Sequence, residues 1–324
     1  MQKSRLAPLK KIVKKLLVSN SITARLLKRK YERHLSHILI DHRIDCVVHP
    51  TADPEVFAIR KENKVMVLNL ATDATNGGTI AKFFDVFFYA TKSDEVNGFQ
   101  LVDYSKPKLF TLSDGLQFEF YSFPEEPSSI ADYTRWYTPK PGDLVYDLGS
   151  NCGISVYHFS KMVGPTGRVI CFEPDPVNLG FLRRNIARHG LDNLTIVEAA
   201  IGAADGTAQF SSEGSVASAI VTMLPREPVG NVITVPVMSL ESAFRKYGVP
   251  NFCKIDIEAA EVEALDAAAA LLRTVKTNFA VDTSHWLNGD FTCKPVEEAF
   301  RRGGHESETI TNIFQTTYAR PPAA

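Results

Sequence analysis

The 324-residue sequence contains no C-x-x-C pair, no G-x-G-x-x-G loop and no apolar run approaching the length of a membrane span. Each absence removes a class of function. The five cysteines, Cys46, Cys152, Cys171, Cys253 and Cys293, are odd in number and widely spaced. They make no disulfide framework and no zinc-ligand spacing, so reduced core thiols in a cytoplasmic protein are expected, with no metal. Without the three-glycine loop, a nicotinamide-dependent dehydrogenase ranks last among the readings of a nucleotide fold. Without a long apolar run, no spanning helix is expected. Lysines interrupt "LKKIVKKLLV", which leaves no signal-peptide core. There is no "NPPY"-type signature, and a formal net charge of -1 points to no nucleic-acid partner.

What the sequence does have is unevenly distributed. Residues 1–33 carry eleven lysines and arginines against Glu32, a net charge of +10, which leaves -11 on the rest. Leu9, Ile12, Val13, Leu16 and Leu17 fall at helical spacing opposite lysines, and "SNS" at 19–21 suits a break and a cap before a second helix over about 22–40. Two readings stay open for residues 1–40. One is an amphipathic contact with an anionic membrane surface, at the inner membrane face. The other is a helical pair packed on its own domain with a solvated basic face.

Residues 41–129 read as a β-rich accessory region. "VFAIRKENKVMVLNL" and "KLFTLSDGLQFEFYSF" suggest two hairpins, the second turning at Asp114–Gly115, and "ATNGGT" at 74–79 reads as loop chemistry. "SFPEEPSS" reads as a connector. From residue 130 to 324, strand and helix signals alternate: "DLVYDL", "ISVYHFSKMV", "RVICFE", "PVNLGFLRRNIARHG", "LTIVEAAI", then "FCKIDI", "EVEALDAAAALLR" and "KTNFAVDT". Repeated β–α units predict an α/β fold, a Rossmann-like sheet with helices on both faces, preceded by the helical and β-rich extension. "ETITNIF" and "QTTYAR" predict a closing strand pair.

The loop "DLGSNCG" follows the first strand of that region, where an open α/β sheet binds ligands. Gly149 allows a sharp turn and Gly153 a close helix start. Asn151 is tolerable between them, because asparagine reaches left-handed φ/ψ more readily than other side-chain-bearing residues. The second strand ends in Glu173, 26 residues after Asp147. An acid there suits a ribose, since two carboxylate oxygens match two vicinal hydroxyls. As a plain structural feature, Glu173 would be an acid at a helix start ahead of Pro174.

"DLGSNCGISVYHFS", "VICFEPDPVNLGFLRRNI", "VEAAIG" and "KIDIEAAEVEAL" resemble, in order, the motifs of FkbM-type methyltransferases, within the class I S-adenosylmethionine-dependent group. The resemblance covers about residues 140–285. It implies a Rossmann-like class I methyltransferase sheet and S-adenosyl-L-methionine as cofactor, held by Asp147, Gly149, Asn151, Gly153, Glu173 and Ala200. It also implies transfer of the methyl group to a hydroxyl, on a sugar, a glycan or a secondary metabolite. Three residues are candidates for the base: Asp256 at the end of the fourth strand, Glu258, and His285 after the fifth. The family pattern has glycine after Glu258, where this chain has Ala259, and alanine fits if φ is negative there. That departure sustains an alternative, a non-catalytic membrane- or partner-binding protein that keeps the fold. The acceptor and the oligomeric state stay open.

Overall fold

This computed structural model describes residues 21–124, 129–224, 227–228, 231–312 and 314–322. The first expected helix, over 9–18, lies outside them. The chain divides into two compact units, Met1–Pro127 and Ser128–Ala324.

In the first unit, the helix Ser21–Asp41 buries Tyr31, Leu35 and Leu39. Lys28 lies on the covered side too, and its ammonium donates to the Thr51 and Asp53 carbonyls. This helix therefore uses part of its basic complement internally. A five-stranded sheet runs in the order Val47–His49, Val56–Lys61, Lys64–Asn69, Phe99–Asp103, Asp94–Val96. Both expected hairpins form: Val56–Lys61 with Lys64–Asn69, and Lys108–Thr111 with Gln117–Phe120. "ATNGGT" is not a loop. Residues Ala74–Asn76 form a 3-10 turn and Gly77–Lys82 an α-helix. The reason is tertiary. A Cβ on Gly77 would lie 2.2 Å from the Tyr31 hydroxyl, so this glycine permits helix–helix approach rather than a turn.

In the second unit, strands β1 (Leu144–Leu148), β2 (Arg168–Phe172), β3 (Leu194–Val197), β4 (Phe252–Ile255), β5 (Asn278–Asp282), β6 (Glu306–Thr311) and β7 (Gln315–Arg320) form one sheet. Their order is β3-β2-β1-β4-β5-β7-β6. The first five are parallel; β7 is antiparallel to both β5 and β6. Helices α1 (Ile154–Val163), α2 (Pro176–His189), α3 (Leu240–Tyr247), α4 (Glu261–Ala267) and α5 (Cys293–Arg302) cover it. Side chains alternate across the sheet, so both faces are apolar. Tyr146, Leu148, Ile170, Phe172, Ile255 and Val281 pack with Phe244, Leu265 and Phe300 on one face. Val145, Val169, Cys171 and Phe252 pack with Val156, Phe159 and Leu182 on the other.

All five cysteines are free, and four are buried. Between β3 and β4 the chain builds a separate four-stranded sheet from Ala200–Gly202, Gly206–Ser212, Ala219–Ile220 and Asn231–Ser239. The strand order reverses between β1 and β4. Ligand sites of open α/β sheets lie at that reversal, beyond the carboxyl ends of the strands.

Candidate active site

The loop after β1 is shaped by its neighbours. Gly149 has φ +81°, and a Cβ there would stand 1.9 Å from the Asp256 carbonyl oxygen. Gly153 has φ +91°, with Leu182 where its Cβ would be. Asn151 is left-handed, φ +47°. Its backbone N–H donates to Glu173 Oε2 at 2.8 Å, and the Asp175 N–H donates to Oε1 at 2.9 Å. Glu173 is thus the link between the β1 loop and the end of β2, not merely an acid at a helix start. Burial pushes its carboxyl up to about 7, against those two backbone donors.

Asp147 points beneath the loop and is fully buried. Ser155 Oγ donates to its Oδ2 at 2.6 Å, and Lys254 Nζ stands 3.3 Å from Oδ1. Burial raises the carboxyl and the Lys254 ammonium opposes that shift. Lys254 also donates to the Gly149 carbonyl at 2.8 Å, so one buried cation ties β4 to both ends of the β1 turn. Ala200 is buried in the small inserted sheet with Phe210 and Val235.

The three candidate bases come together. Asp256 Oδ2 accepts from the Tyr133 hydroxyl at 3.1 Å and lies 3.6 Å from Lys254 Nζ. Its Oδ1 lies 3.4 Å from His285 Nε2, and Glu258 Oε1 lies 3.6 Å from the same nitrogen. The other ring nitrogen, Nδ1, is 3.0 Å from Glu261 Oε1. Burial pulls the His285 imidazole down, but Glu261, Glu258 and Asp256 overcome this and hold it well above its ordinary value. Burial works upward on Asp256, yet Lys254 and His285 leave it below the usual carboxylate range. Asp282 is pushed up to about 7 by burial and by Asp256. Asp256 does not cap the next helix: the residue at that position is Ala260, with no side-chain cap.

The turn that carries Glu258 departs from expectation. Glu258 has φ +54° and Ala259 φ +75°, so the alanine occupies left-handed backbone instead of avoiding it. Ala259 is enclosed beside Met223 and Ala260. The family's glycine would remove that strain; here packing holds the alanine in place.

Several residues escaped the sequence reading. Lys254 was visible as a charge inside the apolar strand "FCKIDI", two residues before Asp256 and on the same face. Glu261 read as an ordinary first-turn acid, yet it is fully buried and also accepts from Thr292 Oγ1 at 2.8 Å. The stretch "SSEGSVAS" at 211–218 carried no recognisable signal. Its Ser212, Gly214 and Ser218 donate to the Asp175 carboxylate at 2.8, 3.0 and 2.6 Å, clamping the inserted sheet to the start of α2 beside Glu173.

The model of the methyltransferase FkbM domain matches residues 147–307. A protein-L-isoaspartate O-methyltransferase of Methanopyrus kandleri is 31% identical over 96 residues, 30% of this chain and 41% of that protein. The match therefore spans less than half the length of that relative. An FkbM methyltransferase structure from Methylobacillus flagellatus superposes with a TM-score of 0.43 and 16% identity, over 60% of this chain and half of that one. Aeropyrum pernix fibrillarin, solved with S-adenosyl-L-methionine bound, superposes with a TM-score of 0.37 and 13% identity, over 85% of this chain and 99% of that one. With the loop, the acid after β2 and the strand order all in place, residues 147–307 of this chain are a methyltransferase domain of the FkbM family.

Proposed function

We propose that the chain is an S-adenosylmethionine-dependent O-methyltransferase whose acceptor is a hydroxyl of a sugar, a glycan or a secondary metabolite. One observation carries this reading: the loop after β1 touches Glu173 on one side and Asp256 on the other. Donor-binding and proton-handling groups therefore share the carboxyl end of the sheet.

The residues present fit the cofactor. The Glu173 carboxylate accepts the two backbone N–H groups and a side-chain hydrogen bond from Asn178, and its remaining acceptor capacity suits a ribose hydroxyl. Asn151, Gly149 and Gly153 form a turn without bulky side chains, with Asp147 holding it from below. The cofactor supplies an electrophilic methyl on a sulfonium. The chain positions the acceptor oxygen and handles the proton it loses. Asp256, Glu258 and His285 are the groups placed for that proton, with Glu261 fixing the ring.

Calorimetric titration with S-adenosyl-L-methionine tests the cofactor. Binding by the wild type and its loss in Glu173→Ala support the reading; no binding by the wild type favours the non-catalytic alternative. A methyl-labelled donor incubated with fractionated cell extract then identifies the acceptor, by whether label enters glycan, lipid or small metabolite.

The charge of residues 1–33 favours an acceptor presented at an anionic membrane surface, with the protein in the cytoplasm and bound at the inner membrane face. No helix among the described residues is long and apolar enough to cross a membrane. Flotation with anionic liposomes tests the contact. Lys→Glu changes at Lys10, Lys11, Lys14 and Lys15 should abolish recovery, and equal recovery rejects it.

A further inference from the structure

We infer that Asp256, Glu258 and His285 form a binding site for one first-row divalent cation, of the Zn2+ or Mn2+ type. The argument begins with spacing. One ligand atom from each residue lies within 4.8 Å of the others. His285 Nε2 faces Asp256 Oδ1 at 3.4 Å and Glu258 Oε1 at 3.6 Å. Both separations exceed the 2.7–3.2 Å of a good N–H···O bond. Ligands about 2.0–2.1 Å from a tetrahedral centre stand roughly 3.3–3.4 Å apart; the Asp256 separation matches this, and the more exposed Glu258 stands slightly farther out.

The second observation concerns what stands behind the donors. A metal-ligating imidazole characteristically gives its other N–H to a carboxylate, which fixes the tautomer and aims the free nitrogen. Glu261 occupies that place at 3.0 Å from Nδ1, fully buried, with Thr292 holding the same oxygen. Its second oxygen, Oε2, is buried without a hydrogen-bond partner. Asp256 is oriented in the same way: Tyr133 and Lys254 engage Oδ2, which leaves Oδ1 toward His285. Lys254 stands 3.3 Å from Asp147 and 3.6 Å from the outer oxygen of Asp256, on the side away from His285 Nε2.

One nitrogen and two carboxylate oxygens suit zinc or manganese better than magnesium, which favours oxygen and retained water. Glu258 is the most open of the three, its side chain 30% exposed. That leaves an outward coordination position for water or a substrate hydroxyl, as in catalytic metal sites. At that position a cation would lower the pKa of a hydroxyl. The inference goes beyond methyl transfer, since ion binding needs neither cofactor nor acceptor.

The experiment uses the full chain, stripped with chelator and titrated separately with ZnCl2, MnCl2 and MgCl2 at neutral pH. One equivalent of Zn2+ or Mn2+ is expected, with Mg2+ at least tenfold weaker. His285→Ala and Glu258→Gln should remove the binding while far-UV circular dichroism is retained, and Glu261→Gln should weaken it about 10–100-fold. Pulsed electron paramagnetic resonance of Mn2+ on the wild type should show one coupled imidazole nitrogen, a readout independent of how any variant folds. No saturable binding below 1 mM (on the order of a weak extracellular ion site) would overturn the inference. So would a wild-type spectrum without nitrogen coupling, or unchanged affinity in folded His285→Ala. Cation binding without S-adenosyl-L-methionine binding would uphold the site and sink only the methyltransferase reading.

Discussion

The two halves of the site are built from different materials. On the β1–β2 side, Glu173 is held by the backbone amides of Asn151 and Asp175, and the turn is shaped by glycines. On the β4–β5 side, Asp256, Glu258, Glu261 and His285 face one another as side chains, at separations partly too long for hydrogen bonds. Backbone donors cannot be repositioned without remaking the fold, so the first half is shaped before any ligand arrives. The second half is an electrostatic cluster, arranged by charged side chains rather than by the backbone.

Gly149→Ala should break the comparison most severely. The new Cβ would meet the Asp256 carbonyl at 1.9 Å in left-handed backbone, disturbing both halves together. A destabilisation of at least ~3 kcal/mol is expected, read by chemical denaturation, with cofactor binding lost. Lys254→Met comes next. It leaves Asp147 buried without its cation, at a cost of about 3–5 kcal/mol. If the variant is as stable as the wild type, Lys254 is not the tie between the halves.

Glu173→Gln should act on one half only. Its carboxyl is raised from 4.5 to about 7, so between those values the folded protein holds a proton that the unfolded chain has lost. Stability from this group therefore falls as pH rises through that window. Cofactor affinity should run the other way, rising through about pH 7, because hydroxyl donors favour the ionised acid. Glu173→Gln should flatten both profiles, and weaken binding about 10-fold or more through the lost charged hydrogen bonds. Calorimetry and denaturation across pH 5–8 (roughly the range spanned by the shift) check both signs.

The smallest effect is expected at Ala259→Gly, which should relieve the left-handed strain and stabilise by ~1 kcal/mol. A loss of stability would show that Ala259 contributes more through packing beside Met223 than it costs in backbone strain.

Much of the first half was legible in sequence. Gly149, Asn151 and Gly153 announce left-handed or close-packed backbone, and the turn has that shape. Glu173 was marked by its place after an apolar strand. Little of the second half was legible beyond Asp256, Glu258 and His285 as separate candidates. Glu261 looked like dipole compensation, Tyr133 carried no signal, and Ala259 was expected to have negative φ. "ATNGGT" misled for a related reason: glycine marks both turns and close helix contacts, and only Tyr31 opposite Gly77 decides which.

The sequence by itself determined the alternation of strands and helices, the glycine turn and the acid that follows β2. These depend on side-chain period and backbone chirality, which act over a few residues. Tertiary structure alone decided that Tyr133, Lys254, Asp256, Glu258, Glu261 and His285 form one charged cluster. The strand reversal between β1 and β4 brings distant stretches of chain to the carboxyl end of the sheet, and burial there sets how their charges interact.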